Sequence, residues 1–85
     1  MNSVAIIGKL REKIDGIYRF FEYELPHLKE PENGETRIVI KYWTNLPDSR
    51  LLVLENNLRV ALHGHLDAHE KFGTILVVDD YQLLR

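Results

Sequence analysis

The sequence predicts an all-β fold, a small five-stranded barrel with one short helix between the third and fourth strands. Three patterns carry that prediction. An apolar segment broken by one glycine, Val4 to Leu10, opens the chain. Residues 36–44 alternate between apolar and polar side chains, the two-residue period of a half-buried strand. The last third reads as a strand containing Gly64, a short turn, and an apolar exit strand.

Each element has its own signature. Val4 to Leu10 is apolar on both faces, as in a strand covered on both sides. Arg11 to Gly16 reads as a polar turn ending in Asp15-Gly16. Ile17 to Leu25 is an aromatic-rich second strand that Pro26 stops, and Pro26 to Glu35, with Pro31 and Asn33-Gly34, is a loop. Thr36 to Thr44 forms the third strand, with Ile38, Ile40 and Tyr42 on one face and Arg37, Val39, Lys41 and Trp43 on the other. Residues 48–58 support two readings. Asp48 or Ser49 caps a short helix carrying Leu51, Leu54 and Leu58 on one face, or Leu51 to Leu54 is a strand that turns at Asn56-Asn57. The helix is the preferred reading. Leu58 to His69 is the fourth strand, with Val60, Leu62, Gly64, Leu66 and Ala68 on one face. Glu70 to Gly73 turns into the last strand, Thr74 to Leu84.

The 85 residues read as a single domain, 1–85, with a thin core that oligomerisation would help to stabilise. The absence of cysteine excludes a disulfide framework and a thiolate metal site, which fits a cytoplasmic protein. No signal-peptide pattern is visible, and no apolar run approaches the ~18–20 residues that span a bilayer, so no membrane partner is expected. Eleven Lys and Arg against thirteen Asp and Glu give a net charge of −2. Phosphate binding draws on a positive field, so such a chain binds nucleic acid only if its cations gather on one face.

With the strands in place, three segments carry a resemblance. Val4-Ala5-Ile6-Ile7-Gly8-Lys9-Leu10, Val60-Ala61-Leu62-His63-Gly64-His65-Leu66, and Thr74-Ile75-Leu76-Val77-Val78 leading to Tyr81-Gln82-Leu83-Leu84 resemble the bacterial single-stranded DNA-binding proteins and the related primosomal replication protein B. Both are oligomeric OB-fold barrels, and order and spacing agree over nearly the whole chain. The resemblance implies a non-catalytic single-stranded DNA-binding protein of replication, primosome assembly or mobile-element transfer. It would be a homodimer or homotetramer, with a helicase or primase as a further partner. The alternative is an OB-fold module that oligomerises and contacts a replication enzyme without binding DNA strongly. Two departures stand out. Positions where the family often carries Arg or Lys after the fourth-strand glycine hold His65, Asp67 and His69. The family's acidic-tipped tail has no counterpart before Arg85, where the last strand ends.

OB barrels bind nucleic acid on the outer faces of strands two and three, where cations track phosphates and rings stack on bases. Arg37, Lys41 and Trp43 are therefore expected to contact DNA. Strand two has one face of Ile17, Arg19, Phe21, Tyr23 and Leu25 and another of Tyr18, Phe20, Glu22 and Glu24. If the first points outward, Arg19, Phe21 and Tyr23 extend the platform; if the second does, it shrinks to Tyr18 and Phe20. The expected site is Arg37, Lys41, Trp43, Arg19, Phe21 and Tyr23. His63, His65, Asp67 and His69 share one strand face, but alternate strand residues lie ~6.5–7 Å apart, so the four cannot converge on one ion. No metal, cofactor or catalytic constellation is expected. Ser3 and Ser49 have no histidine beside them in sequence.

Overall fold

The computed structural model describes residues 3–24, 36–46 and 49–84. Its strands are β1 (Val4–Asp15), β2 (Tyr18–Tyr23), β3 (Arg37–Tyr42), β4 (Arg59–His69) and β5 (Gly73–Leu83), and the short helix α1 (Arg50–Val53) lies between β3 and β4. They form a closed barrel in the order β1-β2-β3-β5-β4, with β3 and β5 parallel and the other pairs antiparallel. β1 serves both edges of the closure. Its residues 4–9 pair with β4, and residues 8–15 pair with β2. Both edges of β1 are thus largely taken up within the barrel. The loop expected over Pro26 to Glu35 lies outside the described residues.

The interior is filled by Leu10, Phe21, Ile40, Leu51, Val60, Leu62, Leu76 and Val78, with Ile6, Tyr23, Ile38, Tyr42, Leu54 and Tyr81 packed around them. This is the inward row predicted for β3 and for the first half of β4. Past Gly64 that row leaves the barrel: Leu66 is 38% exposed, and Ala68 is exposed. The outer ends of β4 and β5 form a hairpin that projects beyond the closed sheet. β1 also runs further than its sequence suggests. Residues 11–15 look like a polar turn but continue as strand, with register shifts between Leu10, Lys13 and Asp15 that bend the ribbon. The turn itself is only Gly16-Ile17.

Two glycines sit where backbones cross. A Cβ on Gly8 would lie 2.2 Å from the Glu22 carbonyl oxygen, and one on Gly64 would lie 2.0 Å from the Val77 carbonyl oxygen. Neither obstacle is a side chain that can swing away, so the strands close only with glycine at both sites.

Arg19 is the largest departure from expectation. The expected site includes it on the reading that its face of β2 points outward, yet it is 0% exposed and points into the end of the barrel. There Nε donates to the Arg11 carbonyl at 2.9 Å, and Nη1 donates to the carbonyls of Leu51, Leu52 and Leu54 at 2.9, 3.4 and 3.0 Å. Nη2 donates to the Asn56 side chain at 3.0 Å. A helix leaves its last carbonyls without intrahelical partners, and the partial negative charge there attracts a cation. Arg19 supplies donors to that end of α1, while Leu51 and Leu52 are buried from the same helix. Burial pushes the Arg19 pKa below its ordinary value, but a guanidinium stays protonated at any working pH. Ser49 occupies the N-cap position, as the sequence allowed, without a side-chain cap.

Replacing Arg19 by Met should destabilise the protein by about 3 kcal/mol, because buried acceptors are left without donors. Arg19→Lys should recover only part of that, since one ammonium cannot reach all these oxygens. Urea melts of the two variants against wild type check this, and a neutral Arg19→Met would overturn the role assigned to the guanidinium. Gly64→Ala should be more damaging than an ordinary surface Gly→Ala change of about 1 kcal/mol, because the clash is with backbone.

Candidate nucleic-acid interface

Arg19 inside the barrel fixes the sides of β2. Arg19, Phe21 and Tyr23 face inward, and Tyr18, Phe20 and Glu22 face outward. Arg19 and Phe21 are wholly buried, and Tyr23 is half-buried against the core. These three are thus corrected as site residues: bases stack on exposed rings, and a guanidinium spent on carbonyls cannot hold a phosphate. The outward face is the smaller platform that the sequence offered as its second possibility.

Cross-strand register lays that platform out in rows. Glu22 pairs with Arg37, Phe20 with Val39, and Tyr18 with Lys41. Val39 continues to Ile75 and Asp67, and Lys41 continues to Val77 and His65. Val39, Ile75 and Val77 form a second buried cluster beneath Ile14, Tyr18, Phe20 and Phe72. Val39 points outward as predicted but is only 7% exposed, because these rings cover it. β3 and β5 are thus covered on both faces, which explains the unbroken apolar run Ile75 to Val78.

The predicted cations are present and partly engaged. The Arg37 guanidinium lies over the Phe20 ring, 4.5 Å from its centroid. It also forms an ion pair with Glu12 on β1. The Glu12 carboxyl is held below its usual range, first by its own backbone N–H and then by Arg37, so at neutral pH it competes as an anion for that guanidinium. Lys41 Nζ donates to Asn45 Oδ1 at 2.6 Å, a neutral partner that a phosphate can replace. Trp43 follows β3. Its backbone N–H donates to the Val78 carbonyl at 2.9 Å, while its indole is 57% exposed with its centroid 5.9 Å from that of Tyr42. The structure therefore brings Arg37 and Lys41 to one side of the barrel, as the alternation of β3 predicted, while Trp43 follows the end of the strand with its ring against Tyr42, which packs on the interior cluster.

Phe72 is the residue that sequence reasoning missed. It lies in the turn before β5 and stands 5.1 Å from the Tyr18 ring. A lone aromatic in a polar turn beside Gly73 was the available signal. The histidine row does not act as one unit. His63 Nε2 lies 3.2 Å from Ser3 Oγ, His65 Nδ1 lies 3.3 Å from Asp79 Oδ2, and His69 Nδ1 accepts from backbone N–H groups. The Ser3–His63 contact joins residues far apart in sequence, and Asp80, opposite His63, accepts from the Tyr81 N–H through Oδ1. Among the described residues no helix is long and apolar enough to cross a membrane.

No protein family matches the sequence, and no curated protein matches it. The structure is similar to the dimeric N-terminal domain of PriB protein from Thermoanaerobacter tencongensis. The TM-score is 0.57 at 18% sequence identity, over 99% of this chain and 97% of that one. The likeness is one of fold, and with the strand order and the helix between β3 and β4 it makes this chain an OB-fold barrel.

Proposed function

We propose that the outer wall of β2, β3 and β5 binds single-stranded DNA without catalysis. One observation carries the reading: the Arg37 guanidinium stacked on Phe20 stands one register step from Tyr18 and Lys41, so rings and cations share an exposed face. Bases would stack on Phe20, Tyr18 and Phe72 and, at the end of the wall, on Trp43. Arg37 and Lys41 would take phosphates. The buried Val39, Ile75 and Val77 floor packs beneath these rings and lowers the cost of ordering Phe20 on binding. The sequence resemblance and the likeness to the PriB domain support a role in replication or primosome assembly.

Homodimerisation belongs to the same reading. Ile7, 41% exposed, pairs with Ala61 on the outer side of β1 and β4, beside Ala5, and the similar domain is dimeric. The alternative, a module that contacts a helicase or primase, is favoured by a different surface. There Tyr42, Arg50, Leu54, Tyr81 and Leu83 line a groove, with exposed Trp43 and Val53 next to it in the chain.

Titration with oligo-dT should quench the emission of Trp43, the sole tryptophan, and added salt should restore it. With two phosphates neutralised, log Kobs should fall against log salt with a slope of about −1.4, roughly −0.7 per contact. Unchanged emission and anisotropy at saturating oligonucleotide and low salt would favour the protein-contact reading. Phe20→Ala should weaken binding by about 1–3 kcal/mol, the worth of one stacked base, while Trp43→Ala weakens it with little loss of stability. Glu12→Gln should tighten binding at low salt, because Arg37 then loses its competing carboxylate; equal affinity would place Arg37 outside the phosphate path.

A further inference from the structure

Three rings close over one another where the β1–β2 and β4–β5 turns meet. Tyr18 and Phe72 stand 5.1 Å apart, His69 lies edge-on to Tyr18 at 5.0 Å, and His69 and Phe72 are 4.7 Å apart with planes inclined by 30°. All three are half-buried, so each covers part of the others. The imidazole is anchored as well as stacked. The backbone N–H groups of Lys71 and Phe72 donate to His69 Nδ1 at 3.0 and 3.3 Å. A backbone N–H can only donate, so Nδ1 must carry a lone pair and the ring hydrogen sits on Nε2. The contact thus exists only while the imidazole is neutral.

We propose that His69 is a proton-released clasp. It holds the Phe72 turn closed over Tyr18 at neutral pH and opens on acidification to uncover both rings. Protonation at Nδ1 turns the acceptor into a donor facing two other donors, and the turn loses the side chain that gathers its N–H groups. Phe72 then swings on a turn that ends at Gly73, where φ is +78°. The charged and titratable groups on the surrounding elements are Asp67 on β4, Glu70 and Lys71 in the turn, Lys13 and Asp15 at the end of β1, Tyr18 on β2, and Lys41, its partner on β3. Lys71 already places its ammonium 5.5 Å from the Phe72 ring, so the turn retains a cation on that ring whether or not the imidazole is charged.

The consequence for ligand rests on the DNA-binding reading above: freed faces of Tyr18 and Phe72 are stacking sites, so binding of unpaired bases tightens as pH falls. The reverse coupling holds too, since a strand bound to the open form favours the protonated imidazole.

Two measurements test this on the whole chain. In NMR titrations from about pH 8 to about pH 5.5, the range over which imidazoles change charge, the Lys71 and Phe72 amides should shift in step with the His69 ring. In His69→Gln, whose side-chain oxygen accepts but does not titrate, both amides should stay still. Amides that remain fixed in wild type while the His69 ring titrates overturn the clasp. The second measurement is anisotropy of labelled oligo-dT at the two ends of that range. Wild type should bind about tenfold more tightly at the acid end, the order expected for one freed stacking face, and His69→Gln should lose that gain. An equal gain in both proteins assigns the pH effect to His63 and His65 and overturns the coupling. No binding at either pH, with the amide shifts present, rejects the DNA reading and leaves the clasp standing.

Discussion

A guanidinium inside a small barrel has to meet acceptors on every side, and among the described residues those of Arg19 are carbonyl and amide oxygens. Carbonyls of Arg11, Leu51, Leu52 and Leu54 and the Asn56 amide surround it. Those groups belong to β1, to the helix, and to the turn before β4, so one side chain on β2 joins three separate parts of the chain. The arrangement also has a directional effect. With Arg19 pointing in, the two-residue period of β2 sends Tyr18 and Phe20 out. The same interaction that ends the helix therefore decides which rings meet solvent, and a Leu at that position could fill space but could not satisfy the helix end.

The outer wall gains its shape from burial on the wrong side of the barrel. Val39, Ile75 and Val77 face away from the interior yet are covered by Tyr18, Phe20, Phe72 and Ile14. A ring that packs on an apolar floor has given up part of its own rotational freedom during folding, and a base that stacks on it does not have to order it again. The wall is thus partly core, which reconciles two roles that compete for the same aromatics. Its cations are few, and Arg37 shares itself between Phe20 and Glu12. Affinity on such a surface draws largely on stacking, which is sequence-tolerant, with a salt-dependent share from the phosphate contacts of Arg37 and Lys41.

Much of the barrel is legible in the sequence because its signals are local. The β3 alternation puts Ile40 inside and Arg37 and Lys41 outside, and Gly8 and Gly64 mark the two places where backbones meet. Strand two was not legible. Both of its faces carry aromatics, and the residue that breaks the tie, an arginine, is one that ordinarily belongs at the surface. Apart from the Arg11 carbonyl, its partners lie more than thirty positions away, at and beyond the end of a four-residue helix that the sequence leaves open against a strand. The far half of the first strand is hidden in the sequence for a related reason. Residues 11–13 and 15 are charged because the β1–β2 ribbon runs past the interior cluster, and a strand with Ile14 as its one apolar residue has nearly the composition of a turn.

That overrun has a functional side. The β1–β2 ribbon and the β4–β5 hairpin both extend beyond the closed sheet, and their tips meet through Tyr18, His69 and Phe72. Neither tip is held by the interior, since the inward row of β4 ends near Gly64 and the core-facing part of β1 ends at Leu10. Their mutual contact, together with the packing of Ile14, Tyr18 and Phe72 on Val39, Ile75 and Val77, gives each a fixed position. Segments with few buried contacts are the ones that open at low free-energy cost, independently of the rest of a fold. An imidazole is well suited to join two such segments, because it adds ring contact and hydrogen-bond acceptance that a single proton can withdraw. The wall over Val39 and Ile75 thus carries Phe20 beneath Arg37 and, toward the meeting of the turns, the two rings that His69 closes together.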